Sequence, residues 1–166
     1  MTGRADANDR DALAAQVGAR LKARGWMLAT AESCTGGGVA HAVTAISGSS
    51  EWFDRGFVTY SNAAKQELLG VAEATLVAHG AVSEATAREM AEGALAHSAA
   101  QVAVAITGVA GPTGGTAAKP VGMVCFGFAE RGGRCGAETR HYAGDRAAVR
   151  AQSVAHALEL VLTLAS

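Results

Sequence analysis

Two candidate nucleophiles, Ser33 and Cys34, stand side by side in the stretch Ala31-Glu32-Ser33-Cys34-Thr35-Gly36-Gly37-Gly38. A hydroxyl or thiol in such a place attacks a carbonyl only if a base takes its proton, and the tetrahedral product needs donors for its oxyanion. An apolar run at 26–30 leads into the stretch and an apolar helical pattern at 39–46 leads out. The spacing therefore predicts a strand that ends in small polar residues and a helix that begins at the glycines. That arrangement leaves backbone N–H groups unpaired at the helix start, and glycine permits the positive φ of a sharp turn. On this stretch alone, an ordinary Gly-rich strand–helix connection stays an open reading.

Ser33 needs a base. The five histidines, His41, His79, His97, His141 and His156, are scattered along the chain, and none lies in a polar Gly-rich motif. A Ser-His-Asp triad stays open, since its members need not be neighbours in sequence, but nothing points to one. Lys65 is better placed, in Val58-Thr59-Tyr60-Ser61-Asn62-Ala63-Ala64-Lys65, which reads as a strand, a capping turn and a helix. Of the 14 basic residues only Lys22, Lys65 and Lys119 are lysines. In a chain that otherwise uses arginine, a lysine at a motif position suits a task arginine cannot perform, which is to lose a proton. Three lysines are too few to make that a rule. A lysine desolvated beside a serine has its pKa lowered enough to act as base. Ser61 would relay the proton or hold Lys65, and the N–H groups of Cys34, Thr35, Gly36 and Gly37 would receive an oxyanion. These parts together make an amide-hydrolysis site. The rival nucleophile is Cys34, whose thiolate a helix N-terminus would favour.

A third polar segment follows a nearly continuous apolar run at 102–106. Residues 107–120 carry four glycines, both prolines of the chain, three threonines and Lys119. A loop this long in a compact domain is usually functional. The GxxxxGK[ST] spacing of a P-loop is absent. Thr107, Gly108, Gly111, Gly115 and Thr116 could still cradle a phosphate or carboxylate. Arg146 and Arg150 lie one turn apart near the start of the last helix, where positive charge opposes the helix dipole. They fit an anion partner, or are two surface arginines.

The elements that must position these residues follow from periodicity. Leu13, Val17 and Leu21 give a first helix opening at Asp9-Arg10-Asp11, and Gly25 ends it. After the second helix, Trp52 and Phe53 fall in a short loop, and 57–60 reads as a strand. Ser61-Asn62 cap a helix through Lys65 that Gly70 stops. Residues 75–79 form a helical turn, and Ser83 caps a long helix with Ala87, Met90, Ala91, Ala94 and Leu95 on its buried stripe. Runs at 121–129 and 134–142 form a hairpin about Glu130-Arg131-Gly132-Gly133. Asp145 caps a closing helix. The order, a helix, strand–helix three times in outline, a hairpin and a helix, predicts a three-layer α/β/α domain with a mixed sheet of parallel strands plus an antiparallel hairpin. The junctions at 33–38, 60–65 and 107–119 all follow strands, so they can gather at the carboxyl edge of the sheet, where such folds bind ligands.

Composition bounds the rest. With 166 residues, 49% hydrophobic and 17% charged, the chain suits one domain spanning 11–166 behind a flexible tail of 1–10. A net charge of −1 gives no basic field for nucleic acid or an anionic membrane, and no apolar run reaches a membrane span. The polar N-terminus is not a signal peptide. Three cysteines, Cys34, Cys125 and Cys135, without ligand spacing argue for reduced cytoplasmic thiols and against a disulfide framework or metal site. Ala-rich helices and the hairpin edge make a homo-oligomer the expectation.

Five segments, AESCTGG, GSSEWFDRGFVTYSNAAKQELLGV, HGAVSEATAREMAEGA, TGVAGPTGGTAAKPVG and GDRAAVR, are similar, in the same order, to those of the CinA C-terminal domain family. The resemblance covers 13–162 and is to the stand-alone form, without the larger N-terminal domain fused to it in many relatives. Bacterial members are nicotinamide-nucleotide amidohydrolases. The resemblance implies hydrolysis of the carboxamide of nicotinamide mononucleotide to nicotinate mononucleotide and ammonia, in pyridine-nucleotide salvage, with no cofactor. It makes Ser33 the nucleophile and Lys65 its base, while Tyr60, Ser61, the 107–116 loop and Arg146 match motif positions of less certain role. In that reading Tyr60 contacts the pyridinium ring, and the phosphate lies against the 107–116 loop or Arg146. The other classes are a nucleotide-binding module without catalysis and a competence or DNA-damage accessory domain. Retention of both Ser33 and Lys65 argues against the first, and balanced charge against the second.

Overall fold

The computed structural model describes the backbone of residues 2–166 and the side chains of 7–166. Five strands, β1 (Leu28–Glu32), β2 (Phe53–Val58), β3 (Val102–Gly108), β4 (Met123–Glu130) and β5 (Cys135–His141), form one sheet in the order β2-β1-β3-β4-β5. β1 pairs in parallel with β2 and β3, whereas β3–β4 and β4–β5 are antiparallel. The sheet is thus mixed, as the pattern predicts. The carboxyl ends of β1, β2 and β3 lie along one edge.

Helices cover both faces. α1 (Thr2–Arg24), α2 (Gly38–Thr44) and α6 (Arg146–Leu164) pack on the face that carries Leu28, Val102, Val104, Ile106, Val124 and Phe126. α3 (Asn62–Leu69), α4 (Glu73–His79) and α5 (Glu84–Ala96) pack on the other, which is built from Ala29, Ala31, Ala103, Ala105 and Ala129. Small residues on that face let α5 come close. A Cβ on Gly127 of β4 would sit 2.0 Å from the carbonyl oxygen of Ala87 in α5, so only glycine fits there. The alanines of α5 and of the sheet are one close-packed layer.

Several boundaries differ from those the sequence suggests. β1 runs two residues further, so Glu32 is its last residue, in register with Val58 on one side and Ile106 on the other. β2 begins at Phe53, which puts Phe53 in the sheet rather than in a loop, and it ends before Thr59. Its middle, Asp54-Arg55-Gly56, lacks an apolar pattern because β2 is an edge strand with one packed face. β3 is followed by no helix; it passes through the 109–122 loop into antiparallel β4. α1 starts well before Asp9 and takes in most of the stretch expected as a tail. Among the described residues, no helix is long and apolar enough to cross a membrane.

Candidate active site

β1 delivers Ser33 to the carboxyl edge, between its two parallel neighbours. The Ser33 N–H donates to Ile106 O of β3 (2.9 Å), and Glu32 O accepts from the N–H of Thr59 just past β2 (2.9 Å). The chain then turns through Gly36 (φ 59°) and Gly37 (φ 99°), two consecutive left-handed residues that a side chain would strain, before α2 begins. Several donors of this turn are already used. Gly36 N–H donates to Ser33 O, Gly38 N–H to Thr35 O, and the Val39 and Ala40 N–H groups to the Glu32 carboxylate. Among the described residues, the N–H groups of Cys34, Thr35 and Gly37 have no acceptor. The donors free for an oxyanion are thus fewer than the whole turn. On the outside of the turn, Arg150 of α6 donates from Nε to Cys34 O (3.1 Å) and from a terminal nitrogen to Thr35 O (3.3 Å). In a trans peptide the carbonyl and the next N–H point opposite ways, so a held Cys34 carbonyl turns the Thr35 N–H away from Arg150.

Lys65 arrives from α3. Ser61 caps this helix: its hydroxyl accepts from Ala64 N–H (3.0 Å), and its carbonyl accepts from Lys65 N–H. The Lys65 side chain reaches inward and, at 1% exposed, is the bulkiest fully buried one among the described residues. Its Nζ lies 3.2 Å from Ser33 Oγ, 3.0 Å from Thr59 O and 3.4 Å from Tyr60 O. A neutral amine has two N–H bonds and one lone pair. In that form the Thr59 and Tyr60 carbonyls would take the N–H bonds and leave the lone pair for the Ser33 hydroxyl. Burial pushes the amine below the ordinary lysine value, and no ion pair to Lys65 exists among the described residues. A Cys34 thiolate would oppose that shift, but the Cys34 thiol is itself pushed up to about 11 by burial and is uncharged at neutral pH.

That burial corrects the alternative of a Cys34 thiolate. Cys34 is 6% exposed and packs in the apolar cluster between the sheet and α1, α2 and α6. Desolvation outweighs the influence expected of a helix start. Cys34 borders the site through its backbone.

The rim joins the remaining segments. Arg146 donates from one terminal nitrogen to Gly111 O of the 109–122 loop (2.9 Å) and from the other to the Tyr60 hydroxyl (3.3 Å). Tyr60 is 63% exposed, and Val58 and Val121 are exposed with it. Thr107 is buried, its hydroxyl donating to Ala81 O (2.9 Å), and the Thr116 hydroxyl accepts from Lys119 N–H (3.0 Å). The first ties the end of β3 to the segment before α5, and the second holds the loop's own structure. Gly108 and Gly115 serve close approach: a Cβ on Gly108 would lie 2.9 Å from Met123 O, and one on Gly115 2.8 Å from Val121 N. The Ser61 hydroxyl is spent on the α3 cap and makes no bond to Ser33 or Lys65. Glu32 lies in AESCTGG and Arg150 in GDRAAVR, but their spacing does not show that they shape the nucleophile's turn.

No histidine hydrogen-bonds to Ser33 among the described residues. Nor do three His, Cys, Asp or Glu side chains gather there as a metal would need. An open groove of about 850 Å³ runs between α1 and α6; Asp9, Arg10 and Glu159 are among its lining residues, but no serine, cysteine, lysine or histidine is. Chemistry, not volume, makes Ser33 and Lys65 the candidate site.

The chain belongs to the CinA C-terminal domain family, whose model matches residues 10–165. It is 57% identical to the nicotinamide-nucleotide amidohydrolase PncC of Enterobacter agglomerans, over 90% of this chain and 92% of that one. It is 52% identical to a CinA-like protein of Chloroherpeton thalassium over 89% of this chain, but covers only 36% of that longer protein. Among solved structures it superposes on the competence/damage inducible protein CihA of Agrobacterium tumefaciens with a TM-score of 0.93 at 46% identity, covering 95% of this chain and 96% of that one.

Proposed function

We propose that this CinA-family domain is an amidohydrolase that converts nicotinamide mononucleotide to nicotinate mononucleotide and ammonia, with Ser33 as nucleophile and Lys65 as base. The observation that carries the reading is the buried Lys65 amine 3.2 Å from Ser33 Oγ, with two carbonyls on its N–H bonds and no carboxylate beside it. The relative from Enterobacter agglomerans, named for this activity, supports the substrate class.

The steps follow from that geometry. Neutral Lys65 takes the Ser33 proton as Oγ bonds to the carboxamide carbon, and the carbonyl oxygen gains the negative charge. The free N–H groups of Cys34, Thr35 and Gly37 are the candidates to bind it. Lysine's new ammonium returns its proton to the amide nitrogen, the C–N bond breaks and ammonia leaves. Water then attacks the acyl-serine, giving its proton to Lys65. Collapse passes the proton on Lys65 back to Ser33 and releases the carboxylic acid, which loses its own proton to solvent as the carboxylate. Lys65 ends as it began. The exposed Tyr60 ring offers a face to the pyridinium, and Arg146 offers a cation to the phosphate at the rim.

Ammonia release from nicotinamide mononucleotide by the wild type, lost in both Ser33→Ala and Lys65→Ala with the fold intact, is the expected result. A wild type that binds the nucleotide and releases no ammonia would replace this reading with a binding module.

A further inference from the structure

We propose that Glu32 is a positioning residue for catalysis: its carboxylate holds the Ser33 turn in the one shape that leaves oxyanion-binding N–H groups free. This rests on the amidohydrolase reading above. Glu32 is the last residue of β1, its backbone fixed by both neighbouring strands, and its side chain is 1% exposed. One carboxylate oxygen accepts from Thr35 Oγ1 (2.7 Å) and from Val39 N–H (2.8 Å); the other accepts from Ala40 N–H (3.1 Å).

A buried carboxylate is costly unless donors saturate it. Here the start of α2 supplies two N–H groups and the positive end of its dipole, and Thr35 supplies the third donor from within the turn. The charge needs no cation. Among the described residues Glu32 forms no ion pair, and the Lys65 amine hydrogen-bonds to Ser33 and two carbonyls instead. This separation matters, because a carboxylate on Lys65 would raise its pKa and stop it acting as base. The three bonds tie Thr35 and the start of α2 back to the end of β1, with Ser33 between Glu32 and Thr35.

The arrangement also assigns the helix start. The N–H groups of Val39 and Ala40, which an uncapped helix would offer to an external anion, are filled from inside the protein. The turn is left able to receive an oxyanion one residue from Ser33, and the substrate's phosphate falls to the rim arginines.

The test is steady-state ammonia release from nicotinamide mononucleotide by Glu32→Gln, expressed per folded enzyme by circular dichroism and fluorophosphonate titration of Ser33. The amide keeps the size of Glu32 but turns an NH2 group toward one of its three donors. The expected result is a kcat lower by about 10- to 100-fold with KM within about twofold, the signature of misplaced reacting groups rather than lost binding. A kcat per folded enzyme within about twofold of wild type, or a loss confined to KM, would overturn the proposal. If Glu32→Gln does not fold, Thr35→Val decides, since it removes only the hydroxyl donor. Its kcat should fall several-fold with KM unchanged, and wild-type kcat would overturn the claim. A wild type without activity would sink the amidohydrolase reading itself; an active wild type with an unimpaired Glu32→Gln would sink only the role of Glu32.

Discussion

The floor and the rim of the site are built on opposite principles. Ser33, Lys65 and Glu32 are buried, and each is held by backbone or by another of the site's groups. Tyr60, Arg146 and Arg150 are exposed at side-chain level, reach across from separate elements and touch one another or loop carbonyls. Burial is what makes the floor chemical: a lysine in water is an ammonium, whereas one desolvated among carbonyls has a lone pair to offer. Exposure is what fits the rim for binding, since a phosphate and a charged ring must enter from solvent. The floor should therefore govern kcat, and the rim KM.

The largest break in that division should come from Lys65. Lys65→Arg keeps a long cation but one that stays protonated, so ammonia release should fall by about 10³-fold or more, as far as with Lys65→Met. A merely electrostatic role would be rescued by arginine. The same residue weakens the fold. Its folded-state pKa lies below its ordinary 10.5, so the unfolded chain binds the proton more readily, and stability falls as pH drops through 10.5 and stays lower below the folded pKa. Lys65→Met should raise the melting temperature at neutral pH, and its advantage should shrink as pH approaches 10.5.

Arg146→Ala probes the rim. It should raise KM for nicotinamide mononucleotide by about tenfold with kcat within about threefold, and leave the riboside, which lacks the phosphate, unaffected. A fall in kcat alone would place Arg146 in the floor. The smallest effect on rate should come from Cys34. Cys34→Ala should retain activity, and thiol alkylation should not inhibit. Its cost appears in stability instead, about 1–2 kcal/mol by chemical denaturation, for a cavity beside the sheet.

The same contrast explains what could be read from the chain. The sheet, its hairpin and the caps of α3, α5 and α6 were legible because Ser61, Ser83 and Asp145 each precede an apolar periodic run, and each does cap its helix. Ser33 and Lys65 stood out because both follow strands in polar turns whose ends meet across parallel β1 and β2. Glu32 did not, since a carboxylate ending a strand looks like a surface boundary until its donors from α2 are seen. Arg150 was legible only as a cation one turn from Arg146, and its bonds to the Cys34 and Thr35 carbonyls were not. The buried hydroxyl of Thr107, the buried thiol of Cys34 and the early start of β2 depend on which face packs, which one-dimensional spacing leaves open on an edge strand or in a long loop.

The central claim is that a neutral Lys65 activates Ser33, and the pH dependence of kcat/KM for ammonia release tests it most directly. Activity should rise with pH and level off through one ionisation below 10.5, because only the unprotonated amine can take the Ser33 proton. A profile that keeps climbing toward the ordinary lysine value, or an identical profile in Lys65→Met, would contradict it.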